Sequence, residues 1–100
     1  MTSASPAIDV RHNKAAQRFE VDLDGHLARA DYRIVGGVMQ IFHTEVPMAF
    51  EGRGIAAALV RAAIEYAREN GLKVLPACSY VRAYMRRHPE AQSLLAVAGQ

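Results

Sequence analysis

Apolar and polar positions change their period once along this chain, near residue 50. Before that point they alternate. Ile8 and Val10 against Asp9 and Arg11 predict a short strand over 8–12, with Asn13-Lys14 as a turn. Phe19, Val21 and Leu23 against Glu20 and Asp22 predict a second strand over 18–23, and Asp24-Gly25 reads as a hairpin turn. A third strand follows, with Ala28, Ala30, Tyr32 and Ile34 on one face and Arg29, Asp31 and Arg33 on the other. Gly36-Gly37 is another hairpin signal. The fourth strand runs from Val38 to Val46. Met39, Ile41, His43 and Glu45 are expected on one face and Val38, Gln40, Phe42, Thr44 and Val46 on the other. Both sets are rich in apolar residues, so this strand is expected to lie centrally, covered on both sides.

The period then becomes helical. Ile55, Leu59, Ala62, Ala63 and Tyr66 recur on one face, with Arg61, Glu65, Arg68 and Glu69 opposite. Six alanines make this helix thin enough to pack close to a sheet, and Asn70-Gly71 ends it. Leu72–Leu75 reads as a short buried strand, parallel to the fourth because a helix connects them. Ser79 is the expected N-cap of a last helix carrying Val81, Tyr84 and Met85, which Pro89 stops. Leu94, Leu95 and Val97 are expected to pack back on the core. Residues 1–6 are small and polar and are expected to fray; 7–98 read as a single domain.

Between the two periods lies Glu51-Gly52-Arg53-Gly54-Ile55-Ala56-Ala57, a glycine-rich loop that opens a helix. Helix starts leave backbone N–H groups unpaired at the positive end of the dipole, which suits phosphate. Gly52 and Gly54 allow close approach of a ligand to the backbone, and Arg53 adds a positive charge between them. The third glycine of the dinucleotide fingerprint and the Lys-Ser/Thr of a P-loop are both missing. A glycine turn that only reverses the chain is the plain alternative.

Bulk properties narrow the classes. One hundred residues with net charge +2 form one small domain without a block of like charges. No basic stripe with interleaved aromatics points to nucleic acid. A single cysteine, Cys78, excludes an intrachain disulfide, and the four histidines make no metal spacing. Neither a signal peptide nor an apolar run long enough to span a membrane is seen, so the expected address is the cytoplasm.

Four strands, a glycine loop, a helix, a strand and a helix is the order of the GNAT N-acetyltransferase superfamily, which the chain resembles in an α/β (α+β) fold. The superfamily loop, Arg/Gln-x-x-Gly-x-Gly/Ala, is similar to Glu51-Gly52-Arg53-Gly54-Ile55-Ala56, with Glu51 as a departure. A closer resemblance is to small single-domain NATD-type proteins. It is carried by His43-Thr44-Glu45-Val46-Pro47, by Gly52–Ala56, by Pro76-x-Cys78-Ser79-Tyr80-Val81 and by Tyr84-x-x-x-His88-Pro89-Glu90. These blocks span Ile8 to Leu95; Ala91 departs, where the group usually has an aromatic.

This resemblance implies acetyl-CoA (or CoA) as cofactor and an amine as acceptor. It implies that the fourth strand and the strand after the helix splay into a V. The pantetheine arm would lie there beside Glu45 and Val46, with the pyrophosphate on the N–H groups of Gly52 to Ala57. Cys78 would sit where the V opens, with Ser79 starting a helix behind it, a setting that lowers a thiol pKa. It is a candidate nucleophile, or else an inert buried thiol. Tyr84, one turn beyond Tyr80, is the expected acid for the departing CoA thiolate; both tyrosines serve equally well as core residues. His43 and Glu45 share a strand face, and Glu45 is the candidate base, with His43 orienting it or taking its place. The plain alternative for His43 is a satisfied, half-buried histidine. Arg53 is the candidate phosphate contact.

The reading is therefore an acetyl-CoA-dependent N-acetyltransferase, by direct transfer or through acetyl-Cys78. Its rival is an acyl-CoA-binding module without turnover. Only about a dozen residues separate Ile8 from Leu23, too few for the two helices that usually wall the acceptor site in the superfamily. The acceptor cleft is thus expected to be open and to suit a protein or peptide lysine. A monomer or weak dimer is expected.

Overall fold

The structure is a computed structural model that describes residues 8–96. The expectations for residues 1–6, for the domain boundaries at 7 and 98 and for Val97 lie outside the described residues. One five-stranded sheet runs in the order β1 (Arg11–Asn13), β2 (Arg18–Leu23), β3 (His26–Val35), β4 (Val38–Glu45) and β5 (Lys73–Pro76). The first four strands form an antiparallel meander; β5 lies parallel to β4. Helix α1 (Ile55–Glu69) makes the crossover, and α2 (Ser79–Arg87) follows β5. Short 3-10 turns occupy Met48–Phe50 and Pro89–Leu94.

One face of the sheet carries the core. Phe19, Val21, Ala28, Ala30, Tyr32, Met39 and Ile41 meet Ile55, Leu59, Val60, Ala63, Ile64 and Ala67 of α1. Ala63 and Ala67 are fully buried, so the helix backbone lies close to the strands. Leu59 and Val60 are fully buried too, each contributing about 1.5–3 kcal/mol. Val81, Tyr84 and Met85 of α2 join the same cluster. Gly71, just past α1, takes a φ of 67°, as a helix-ending glycine does.

Three expectations need correction. β1 spans Arg11–Asn13 rather than 8–12. Asn13 belongs to it because it pairs with Arg18 of β2; its side-chain amide also donates to Glu20 and its side-chain oxygen accepts from the N–H of Ala16 in the turn. Cys78 rather than Ser79 is the N-cap of α2: Cys78 has extended dihedral angles (φ −117°, ψ 138°), and Ser79 is the first helical residue.

The third correction bears on the site. β4 is not covered on both sides, and its faces switch. Asp31 pairs with His43 while Tyr32 pairs with Ile41, so Phe42 is an extra, bulged residue. Past the bulge, Thr44 lies opposite the buried Ala30 and so shares the core face with Met39 and Ile41. His43 and Glu45 lie opposite Asp31 and Arg29 and point to the uncovered face. Phe42 is 40% exposed there.

At the far edge, Leu95 bridges Val74 and the N–H of Ala96 donates to the Val74 carbonyl at 2.8 Å. The tail thus covers part of the β5 edge. No helix among the described residues is long and apolar enough to cross a membrane.

Candidate active site

β4 and β5 pair from Val38–Lys73 to Ile41–Pro76, and the N–H of Ala77 makes a last bond to the Ile41 carbonyl at 3.0 Å. Beyond that bond the strands separate. Residues 42–45 of β4 continue, paired on one side only, with β3. In the mouth of the split lies a cavity of about 350 Å³, within the range of ligand pockets. Thr44, Glu45 and Val46 form one wall; Gly52, Gly54, Ile55, Ala56 and Ala57 form another, and Tyr80 reaches in from α2.

The second wall is a donor surface. Gly54 caps α1 in the left-handed region (φ 80°), and the first helical bond runs from the Ala58 N–H to the Gly54 carbonyl at 3.0 Å. The N–H groups of Ile55, Ala56 and Ala57 therefore have no helical partner, and no other backbone partner for them appears among the described residues. No acidic side chain stands in the first turn of α1. The positive end of a 15-residue helix thus faces the cavity uncompensated by its own first turn. Glu51, exposed in the loop, and Glu45 on the facing wall are the opposing charges that line the cavity. Arg53 does not line the cavity; its guanidinium lies over the Phe50 ring at 5.1 Å. This donor set fits a pyrophosphate.

Cys78 is half-buried beside the same split, its Sγ 3.7 Å from the Thr44 hydroxyl. Burial works against its ionisation. The Thr44 hydroxyl and the backbone N–H groups of Tyr80, Val81 and Thr44 outweigh it and hold the thiol below its ordinary pKa. The sulfur forms no fully aligned cap bond, yet the N–H groups at the start of α2 favour its thiolate. Thr44 escapes a sequence reading because strict alternation puts it on the other face; the bulge brings it to Cys78.

Glu45 and His43 stand together, His43 Nε2 and Glu45 Oε1 being 3.2 Å apart, and Arg29 holds the same oxygen at 3.2 Å. The bond from His43 and the charge of Arg29 lower the Glu45 pKa. Glu45 is accordingly a weakened base. Ser79 is exposed on α2 and does not line the cavity.

The structure differs from expectation on which tyrosine faces the split. Tyr80 lines the cavity, whereas Tyr84 does not. One turn further along α2, Tyr84 is buried against α1, stacked on His88 at 4.0 Å. Burial raises its phenol pKa. It lines a second cavity of about 260 Å³ with Arg61, Glu65, Arg68 and Ala91, the position without the aromatic of the resembled group. Among the described residues no group of three His, Cys, Asp or Glu would hold a metal.

Residues 18–94 match the family described as GCN5-related N-acetyl-transferase. The chain belongs to this family. Protein NATD1 of Xenopus tropicalis is 40% identical over 93 residues, covering 90% of this chain and 85% of that protein. Protein NATD1 of Homo sapiens is 39% identical over 90 residues, covering 87% and 80%. A GCN5-like N-acetyltransferase candidate of Staphylococcus aureus, solved in solution by NMR, superposes with a TM-score of 0.72. It is 27% identical and covers 89% of this chain and 88% of its own. The mixed sheet with its helices is the GCN5-related fold, and family and fold together support acyl transfer as its chemistry.

Proposed function

We propose that the protein is an acetyl-CoA-dependent N-acetyltransferase that carries the acetyl group on Cys78 before passing it to an amine. The observation that carries this reading is the joining of two features at one strand split. A surface of unpartnered helix N–H groups lies at one end, and a thiol held below its ordinary pKa lies beside Thr44 of the same wall. Ile55, Ala56 and Ala57, with Gly52 and Gly54, would hold the pyrophosphate of CoA, and Val46 would meet its pantetheine arm. Arg53 is close enough in the chain to add to the phosphate contacts by leaving Phe50. When bound, acetyl-CoA supplies an activated acetyl thioester.

The Cys78 thiolate attacks the thioester carbonyl, forming a new C–S bond as the bond to the CoA sulfur breaks. Exchange of one thioester for another is close to balanced in energy, so the step needs positioning more than driving force. Tyr80 is placed on the cavity wall to give its proton to the departing thiolate, the role that the resemblance assigns to Tyr84. An amine then attacks the acetyl carbonyl, the Cys78 thiolate leaves, and the amine proton passes to Glu45, the member of the pair that lines the cavity, with His43 orienting its carboxylate. Cys78, next to Ser79 and itself the N-cap of α2, holds its thiolate at a helix N-terminus.

Direct transfer with Glu45 as base is the second reading, favoured by Glu45 lining the cavity. A CoA-binding module without turnover is the reading from another class. Intact-protein mass spectrometry after incubation with acetyl-CoA separates them. An acetyl adduct on Cys78 that is missing from Cys78→Ala supports the proposal. CoA binding with amine acetylation but no adduct supports direct transfer; binding with neither supports the module.

A further inference from the structure

The sheet face away from the helices carries charge in ordered rows. Strand register sets Arg11, Glu20, Arg29 and Glu45 in one line across four strands, and Asn13, Arg18, Asp31 and His43 in the next. Signs alternate along the first row, and Arg18–Glu20, Arg29–Asp31 and Arg29–Glu45 are ion pairs. Both rows end on the His43–Glu45 pair. Beyond them lies Arg33, exposed, with no carboxylate at ion-pair distance among the described residues. Its guanidinium sits over the exposed ring of bulged Phe42 at 4.6 Å. Arg18, Arg29, Arg33, Asp31, Gln17 and Phe42 line a cavity of about 390 Å³ on this face.

Arg18 and Arg29 are held by Glu20, Asp31 and Glu45, so Arg33 is the guanidinium of this cavity left to pair, and its planar fork matches a carboxylate. An apolar ring beside the free guanidinium gives the stem of a long acidic side chain something to lie on. Arg33 is two residues along β3 from Asp31, the partner of His43, and four from Arg29, the partner of Glu45. Strand rise makes these separations about 7 and 14 Å. An extended peptide lying along β3 covers the same distances in two and four residues.

We infer that this face docks a peptide acceptor bearing an acidic residue two to four positions from the amine that becomes acetylated. Arg33 is the specificity-determining residue, and it takes no part in the chemistry. The identity of the amine as acceptor rests on the acyl-transfer reading; the docking chemistry rests on the charged face alone.

Two fluorescein-labelled peptides of equal length test this, each with one lysine flanked at two and four positions on both sides. The flanks are Glu in one peptide and Arg in the other. Fluorescence anisotropy with the whole protein is expected to show the Glu peptide binding tighter by about fivefold or more, less at high ionic strength. R33E reverses the preference, and R33K keeps its sign. Equal binding of the two peptides, or an unchanged preference in R33E, overturns the inference. Acetylation is followed in the same mixtures by mass. Preferential binding without transfer supports the docking face and counts against the acyl-transfer reading. Transfer to both peptides with no binding preference overturns the docking face and leaves that reading standing.

Discussion

Gly54 and Gly71 bracket α1 and offer a matched pair of perturbations. Both hold positive φ, 80° and 67°, and a Cβ built on either meets no protein atom within 4 Å. Alanine at either position therefore causes no clash. Each substitution costs only the left-handed backbone, about 1–2 kcal/mol. In a chain of 100 residues each kcal/mol lowers Tm by about 4–8 °C. Thermal melts are expected to show similar losses for Gly54→Ala and Gly71→Ala. Their effects on CoA binding are expected to differ. Gly54 lines the cavity, so the empty space its Cβ would enter is the space a phosphate needs; Gly71 lies at the other end of the helix. Losing close approach to even one charge-assisted N–H bond costs about tenfold or more in affinity. Titration calorimetry with CoA, well below both melting temperatures, reads this directly. Gly54→Ala should weaken binding by that factor while Gly71→Ala leaves it unchanged. Equal affinities in the two variants, whether both kept or both lost, would refute the placement of the phosphate site.

Two further outcomes follow from the hydrogen bonds. Thr44→Val removes the hydroxyl that favours the Cys78 thiolate, so the pH profile of Cys78 alkylation should move to higher pH, and Thr44→Ser should restore it; an unmoved profile would show that the 3.7 Å contact is idle. His12 is packed against Phe19 and Tyr66, with Nε2 2.6 Å from the Tyr32 hydroxyl. Burial, then the charge of Lys14, lowers its pKa below 6.5, so the folded state prefers the neutral ring. Its contribution is complete above pH 6.5 and is lost as pH falls through the folded-state pKa. Urea midpoints between pH 7 and pH 5 should fall more steeply for the wild type than for His12→Phe, and parallel slopes would contradict this.

Much of the frame was legible because local rules and tertiary packing agree. β2 has the bounds that alternation predicts over 18–23, and α1 ends at Asn70-Gly71 as its pattern requires. The parallel β4–β5 pair followed from the crossover alone. What alternation missed is the bulge at Phe42. A single extra residue is fixed by the pairing of β3 with β4 and leaves no local signature, yet it inverts the faces of everything after it. His43 and Glu45 still share a face, but it is the bare one, and Thr44 becomes the neighbour of Cys78. The choice between Tyr80 and Tyr84 was equally beyond spacing. Both lie on one helix stripe, and only the packing of α2 against α1 decides which reaches the split. The positive φ of Gly52 and Gly54 and the unpartnered N–H groups were legible, being properties of the loop itself, whereas the stacking of Arg53 on Phe50, away from the cavity, was not.

The central claim is that Cys78 carries the acetyl group on the path to the amine. Its most direct test is to acetylate the protein with acetyl-CoA, remove all CoA, add an amine acceptor, and follow the intact mass with time. The account predicts that the acetyl mass leaves Cys78 and appears on the amine at least as fast as steady-state turnover. An acetyl group that stays on Cys78 while Cys78→Ala acetylates the amine at the full rate would contradict it.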